Sequence, residues 1–213
     1  MVVIFDLDGT LLNTIADLTC AVNYALRAHR FAVCTQEQCL QFVGNGVTKL
    51  VERALPEEAR RASVITAVRA SFFTYYNAHL LDKTTIYPGI EKTLSVLQER
   101  NIKMAVASNK YQTATETIIH HFFPHISFAA VLGQREGIAV KPDPTIVHDI
   151  VRQTGEKTAA VLYVGDSDVD MQTARNAGVR SCAVTWGFRS RELLASYHPD
   201  YLINHPEELL ALL

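Results

Sequence analysis

Two aspartates separated by one residue close the apolar run Val2-Val3-Ile4-Phe5, giving Asp6-Leu7-Asp8-Gly9-Thr10. A run of this length, rich in Val, Ile and Phe, suits a buried parallel strand. Two carboxylates at its end cost stability unless a cation neutralises them. Two readings follow: a strand that runs into an acidic turn, or a metal-assisted site in which one aspartate is a nucleophile. Lys103-Met104-Ala105-Val106-Ala107 is a second, mostly apolar run, and it ends in Ser108-Asn109. A third, Ala159 to Val164, ends in Gly165-Asp166-Ser167-Asp168-Val169-Asp170. Between them Lys141-Pro142-Asp143-Pro144 sets one cation before two helix-breaking prolines. Ligands of open α/β sheets bind beyond the carboxyl ends of the strands, which is where these groups fall. The second reading is therefore the stronger.

The residue types suggest roles. A carboxylate at Asp6 can attack phosphorus to give an aspartyl phosphate, which water then hydrolyses. Asp8 can protonate the leaving oxygen and later activate the water. An unperturbed Asp, with a pKa near 3.9, is ionised at neutral pH, so the acid role needs a raised pKa in the substrate complex. Asp8 can otherwise serve as a turn or cap residue. Asp166 with Asp6 offers hard oxygen ligands beside a phosphate, which suits Mg²⁺. A helix that begins near Ser167 would place Asp170 in its first turn, pointing back to the site or simply compensating the helix dipole. Asp168 reads as a solvent-facing or cap residue. Ser108 and Asn109 can donate to phosphoryl oxygens, or cap the next helix. Lys141 can neutralise Asp6 and the oxygens of a transferring phosphoryl group, or lie on the surface.

These residues need a scaffold. After Thr10 the periodicity changes from strand to helix, with Ile15, Leu18, Val22, Ala25 and Leu26 at helical spacing. Helical segments continue to about His79. The longest is predicted over Glu57 to His79, with Val64, Ile65, Val68, Phe72 and Tyr75 on one stripe. Tyr87-Pro88-Gly89 reads as a turn. Strand and helix then alternate through Ile102–Ala107, Ile126–Leu132, Ala160–Gly165 and Ser181–Thr185 to Tyr201–Ile203. Such alternation implies crossovers and a parallel sheet. The helical block is thus an insertion after the first strand, over residues 14–82, in a core made of 1–13 and 83–213.

With these residues in view, the chain resembles the haloacid dehalogenase superfamily in its phosphatase branch, and most of all the phosphoglycolate phosphatase group. Asp6-Leu7-Asp8-Gly9-Thr10 matches the first family motif, Ser108 the second, Lys141 the third, and Gly165-Asp166 with Asp170 the fourth. The resemblance implies a doubly wound parallel-sheet α/β core of Rossmann-like type, with the helical insertion as a cap over the active site. It also implies Mg²⁺ held by Asp6, Asp166, the backbone carbonyl of Asp8 and the Asp170 region. Phe42-Val43-Gly44-Asn45-Gly46-Val47 resembles the glycine turn of that group. Gly44 could let a ligand approach the backbone, or the two glycines could simply separate helices. Lys49 could meet a substrate carboxylate or be solvated. Thr185-Trp186-Gly187-Phe188-Arg189 resembles a loop that borders the pocket.

Composition limits the alternatives. The chain has 213 residues, 48% hydrophobic, with a net charge of −2, so it is an ordinary globular composition with room for one α/β domain and an insert. No basic run points to nucleic acid. No apolar stretch approaches the roughly 18 residues of a membrane span. No leader precedes the first strand, so the expected location is the cytoplasm, as a monomer or homodimer. Cys20, Cys34, Cys39 and Cys182 form no C-x-x-C pair and read as reduced, mostly buried residues; His120, His121 and His125 read as surface or capping groups at a helix end. The expected function is hydrolysis of a small phosphorylated metabolite, phosphoglycolate first. Pyrophosphatase, nucleotidase, sugar phosphomutase and non-catalytic metabolite binding are the alternatives. A dehalogenase would need neither Asp8 nor Asp166.

Overall fold

The computed structural model describes residues 1–213, which divide into two compact units: residues 1–13 with 86–213, and residues 14–85. The first unit opens with β1 (Val2–Phe5) and the short β2 (Leu12–Asn13). The second holds α1 (Ile15–Ala28), α2 (Gln36–Phe42), α3 (Gly46–Ala54) and α4 (Ala62–His79). β3 (Thr85–Ile86) leads back to the first unit, which continues with α5 (Ile90–Glu99), β4 (Lys103–Tyr111), α6 (Gln112–Phe122) and β5 (Ala130–Gln134). It ends with α7 (Thr145–Thr154), β6 (Val161–Gly165), α8 (Asp168–Ala177), β7 (Arg180–Val184), α9 (Arg191–Ser196) and β8 (Tyr201–Ile203). No helix is long and apolar enough to cross a membrane.

The first unit is a six-stranded parallel sheet in the order β5-β4-β1-β6-β7-β8, so the expected α/β Rossmann-like core is present. β1 lies at the centre with β4 and β6 on its two sides, and its four residues are at most 2% exposed. A strand covered on both faces needs apolar side chains throughout, which is why Val2–Phe5 shows no alternation. Val2, Ile4, Ala105, Val161 and Tyr163 meet Ile146 and Ile150 of α7 and Ala174 of α8 on one face. Alternation sends Phe5 to the other face, where it and Val164 line a cavity with Ile90 and Leu94 of α5. The chain runs from β1 to β4 and β5 on one side, then crosses back to β6 on the other. β1 is therefore the topological switch point of the sheet, and a crevice forms beyond its carboxyl end. Phe5 is level with Val106 and with Val164, so Asp6, Ser108 and Asp166 all emerge at that end.

Two strands differ from the sequence expectation by more than one residue at an end. β4 continues past Ala107 to Tyr111, because Ser108, Asn109 and Lys110 stay buried within the pairing region. β5 starts at Ala130 rather than Ile126, since residues before Ala129 do not reach a partner strand.

In the second unit, α1 packs on α4 and buries Ile15, Leu18, Ala21, Val22, Ala25 and Leu26. The predicted helix over 57–79 is two elements: a 3-10 turn at Glu57–Ala59, then α4. Its buried stripe is Val68, Phe72 and Tyr76, in steps of four, whereas Val64 and Ile65 are only half-buried. Tyr75 lies off that stripe and stacks between Tyr24 and His79, at centroid distances of 4.7 and 4.2 Å. The unit closes at Thr85 rather than at residue 82. Buried Asp17 accepts hydrogen bonds from the Lys83 and Thr84 N–H groups, at 3.0 and 2.8 Å, and fixes that segment to α1. All four cysteines are free thiols; Cys34, Cys39 and Cys182 are buried, and Cys20 is half-buried.

Candidate active site

Asp6 follows the last residue of β1. Its Oδ1 accepts from the Leu7 N–H at 2.6 Å and lies 2.9 Å from the Lys141 ammonium, while its Oδ2 has no hydrogen-bond donor. The next residues turn sharply: the Gly9 N–H donates to the Leu12 carbonyl, and the Leu11 and Leu12 N–H groups donate to Leu7. Gly9 has φ +90, and a Cβ there would overlap the Asp166 carboxylate. Only glycine permits both the turn and this approach. The turn carries Thr10, whose hydroxyl donates to Asp166 Oδ1 at 3.0 Å, and the Phe188 N–H donates to Asp166 Oδ2 at 2.7 Å. The loop after β7 thus borders the site through a backbone donor, and the Trp186 indole donates to the Thr10 carbonyl at 3.0 Å.

Lys141, only 2% exposed, donates to Asp170 Oδ1 at 2.8 Å, to the Ala107 carbonyl at 3.0 Å and to the Tyr163 hydroxyl at 3.0 Å, besides pairing with Asp6. Asn109 fixes its backbone from both sides. It accepts from the Lys141 N–H at 2.8 Å and donates to the Lys141 carbonyl at 3.1 Å. Ser167 caps α8, and Asp170, in the first turn, completes a capping box with it. Asp170 Oδ2 takes the Ser167 hydroxyl at 2.6 Å and N–H at 3.1 Å, and Oδ1 takes Lys141 and the Tyr163 hydroxyl at 3.2 Å. All of these residues belong to the first unit.

The charges do not balance. Asp6, Asp8, Asp166 and Asp170 face the ammonium groups of Lys110 and Lys141, and Arg189, which attracts Asp166, is itself paired with a fifth carboxylate, Asp168, so carboxylates outnumber cations by two. Burial pushes the Asp6 pKa well above the ordinary carboxylate value; the Asp170 charge adds to this, Lys141 opposes it, and Asp166 and Asp8 raise it further. Asp166 is pushed up to about 7 by burial and then by Asp170, against the bonds from Phe188 and Thr10. Burial works against the Lys141 ammonium, but Asp170 and Asp6 hold its pKa well above the ordinary lysine value. Oxygens of Asp6, Asp166 and Asp170 lie within 4.8 Å of one another. An all-oxygen donor set with an excess of negative charge fits a hard divalent cation.

The remaining candidates are less central or lie in the other unit. Ser108 is 1% exposed, and its Oγ accepts from the Lys110 N–H at 3.2 Å, which leaves the hydroxyl proton for another acceptor. Asp168 pairs with Arg189 at 3.5 Å. Gly44 and Gly46 have φ +126 and +80 in the turn between α2 and α3. Lys49 is 55% exposed and pairs with Glu52 at 2.7 Å.

Three contributors escape sequence reasoning. Lys110, 3% exposed, lies 3.1 Å from Asp8 Oδ2, but a lysine next to a short strand reads as surface. Tyr163 sits mid-strand and reads as an apolar core residue. Thr10 was legible only as a hydroxyl after the Asp-x-Asp-Gly run.

Comparison with known proteins agrees with this geometry. Residues 3–184 match the model of the family described as haloacid dehalogenase-like hydrolase. A phosphoglycolate phosphatase from Mannheimia succiniciproducens is 30% identical over 212 residues, covering 97% of this chain and 95% of the relative. One from Aliivibrio fischeri is 32% identical over 215 residues, covering 98% and 94%. A crystal structure of a candidate phosphoglycolate phosphatase from Lactobacillus delbrueckii subsp. bulgaricus superposes with a TM-score of 0.91 at 33% identity, covering 98% and 95% of the two chains.

Proposed function

Because the chain belongs to the haloacid dehalogenase-like hydrolase family, we propose that it is a Mg²⁺-dependent phosphomonoesterase working through an aspartyl phosphate on Asp6. The observation that carries this reading is the position of Asp6. Its Oδ2 is open, its Oδ1 is bound by Lys141, and Asp166 lies beside it at the switch point of the sheet. Oδ2 attacks phosphorus while the bond to the leaving oxygen breaks and Asp8 gives that oxygen its proton. Water then attacks the same phosphorus, Asp8 takes its proton, and orthophosphate leaves with Asp6 restored. Ser108 and Lys141 bind phosphoryl oxygens, and Lys141 offsets the charge that builds on them.

Asp6, Asp166 and the Asp8 carbonyl would hold the Mg²⁺, which when bound neutralises carboxylate charge and polarises a phosphoryl oxygen. Asp170 Oδ1 accepts from the buried Lys141 ammonium, which suits it to orient Lys141, and its place within 4.8 Å of the Asp6 and Asp166 oxygens keeps it beside them as a candidate Mg²⁺ ligand. Residues 14–85 act in this reading as a cap that excludes water during turnover. Gly44 and Lys49 on it would touch the substrate; an exposed pair such as Lys49–Glu52 is weak enough to exchange for a substrate carboxylate. The named relatives make 2-phosphoglycolate the first substrate to try.

Phosphate release from a panel of phosphomonoesters, measured with Mg²⁺ and with EDTA, tests this directly. Metal-dependent release with 2-phosphoglycolate at or near the top is expected, and no release from any compound by the folded protein rejects the reading.

The pKa values add a second test. A carboxyl whose folded pKa is raised stabilises the fold below its ordinary value near 3.8, and that contribution is lost as pH climbs through about 7, here at Asp166. Mg²⁺ must displace these protons to bind. The gain in thermal stability on adding Mg²⁺ should therefore widen as pH rises through about 7. At a hundredfold excess over Kd it should reach about 2.7 kcal/mol. Melting curves with Mg²⁺ and with EDTA, from about pH 5 to about pH 8, check this. A gap that is flat with pH contradicts it.

A further inference from the structure

Ser108, Asn109 and Lys110 are consecutive in a strand, yet all three are buried. The pairing of β4 with β5 explains how. Ala107 is opposite Leu132 but Tyr111 is opposite Gln134, so β4 advances four residues while β5 advances two. Bulges of this kind re-aim side chains beside active sites. The bulge depends on Gly133 in β5, where a Cβ would lie 2.5 Å from the Lys110 carbonyl and 2.7 Å from the Thr115 hydroxyl. Lys110 is anchored on both sides: its N–H donates to Ser108 Oγ at 3.2 Å, and its carbonyl accepts from the Thr115 hydroxyl at 3.2 Å. Its ammonium is thereby delivered 3.1 Å from Asp8 Oδ2, with only 3% of the side chain exposed.

A buried ammonium is costly, and an apolar residue would fill the same space with less penalty. Asp8 is the partner that repays the cost, and Asp8 is the residue whose orientation matters to proton transfer. It lies in a turn and keeps 14% of its side chain exposed, and the Lys110 ammonium lies 3.1 Å from its Oδ2.

We propose that Lys110 is a positioning residue that holds the Asp8 carboxyl group in the orientation from which it exchanges a proton with the leaving oxygen. This rests on the reading of Asp6 as nucleophile and Asp8 as acid. Its consequence depends on the leaving group. An alcohol leaves badly without a proton, and p-nitrophenolate leaves readily without one. A lysine that touched the phosphoryl group itself would matter equally to both.

The test uses the Mg²⁺-loaded full chain, Lys110→Met, and kcat/KM, which reports the steps up to the loss of the leaving group. The substrates are 2-phosphoglycolate and p-nitrophenyl phosphate. The substitution should lower kcat/KM about 100-fold for the alkyl phosphate and at most about threefold for the aryl phosphate. Should the Met variant fail to fold, Lys110→Gln carries the same comparison. Equal losses on the two substrates, or no loss on either, overturn the assignment while leaving the phosphatase reading intact. A wild-type protein inert on both substrates overturns the reading of the site and the assignment with it.

Discussion

Asp6→Asn should lower the rate of phosphate release by about 10⁴-fold or more, because the amide cannot attack phosphorus. The loss should fall on kcat, and the acid-quenched variant should carry no phosphoryl group, whereas the proposed mechanism expects one on Asp6 of the wild type in turnover. Stability should move the other way. Burial and the Asp170, Asp166 and Asp8 charges all disfavour an ionised Asp6, against the Lys141 ammonium and the Leu7 N–H. A neutral, isosteric side chain that keeps the Leu7 hydrogen bond relieves that repulsion. Without Mg²⁺ the variant should therefore melt no lower than the wild type, as expected where function holds a strained charge arrangement. Phosphate release above about one per cent of wild type would remove Asp6 as the nucleophile.

Asp170→Ala should cost the fold about 3–5 kcal/mol, the usual result of removing one partner from a buried ion pair. Asp170 is fully buried and serves four groups: the Lys141 ammonium, the Tyr163 hydroxyl, and the Ser167 hydroxyl and N–H. Truncation leaves the Ser167 donors without their acceptor, removes half of the capping box of α8, and leaves Lys141 with Asp6 as its one carboxylate. For a chain of this size the melting temperature should drop by roughly 10 °C. Trp186 is the single tryptophan and lies in the first unit, so its fluorescence during denaturant unfolding follows the right part of the molecule. A loss under about 1 kcal/mol would mean that water replaces the carboxylate, and that the network is not dry.

Much of this architecture is legible in the chain because a buried parallel strand leaves an unbroken apolar run. Val2–Phe5 and Val161–Gly165 read as strands for that reason, and the polar residues after them mark the crevice end. The reading fails where the cause is distant. β4 runs through Ser108-Asn109-Lys110, a polar stretch that reads as a loop until β5 is beside it with glycine at position 133. Tyr163 has an apolar ring in an apolar strand, and only the arrival of Lys141 and Asp170 gives its hydroxyl a purpose. The stripe on α4 is misplaced by one position because Tyr75 and Tyr76 are alike in type and differ only in what packs on them.

The central place of β1 also governs how the molecule is made. Val2 pairs with Lys103 on one side and Val161 on the other, both far along the chain. The strand that comes earliest in the order of synthesis is thus among the last to find its neighbours. Residues 14–85 depend on nearer partners, and local contacts form fastest. Refolding should begin with the helices and wait on the sheet. During translation, Val2–Phe5 remains an apolar segment with both edges open until β4 has left the ribosome and one edge open until β6 has, the kind of segment that associates with other chains or is held by a chaperone.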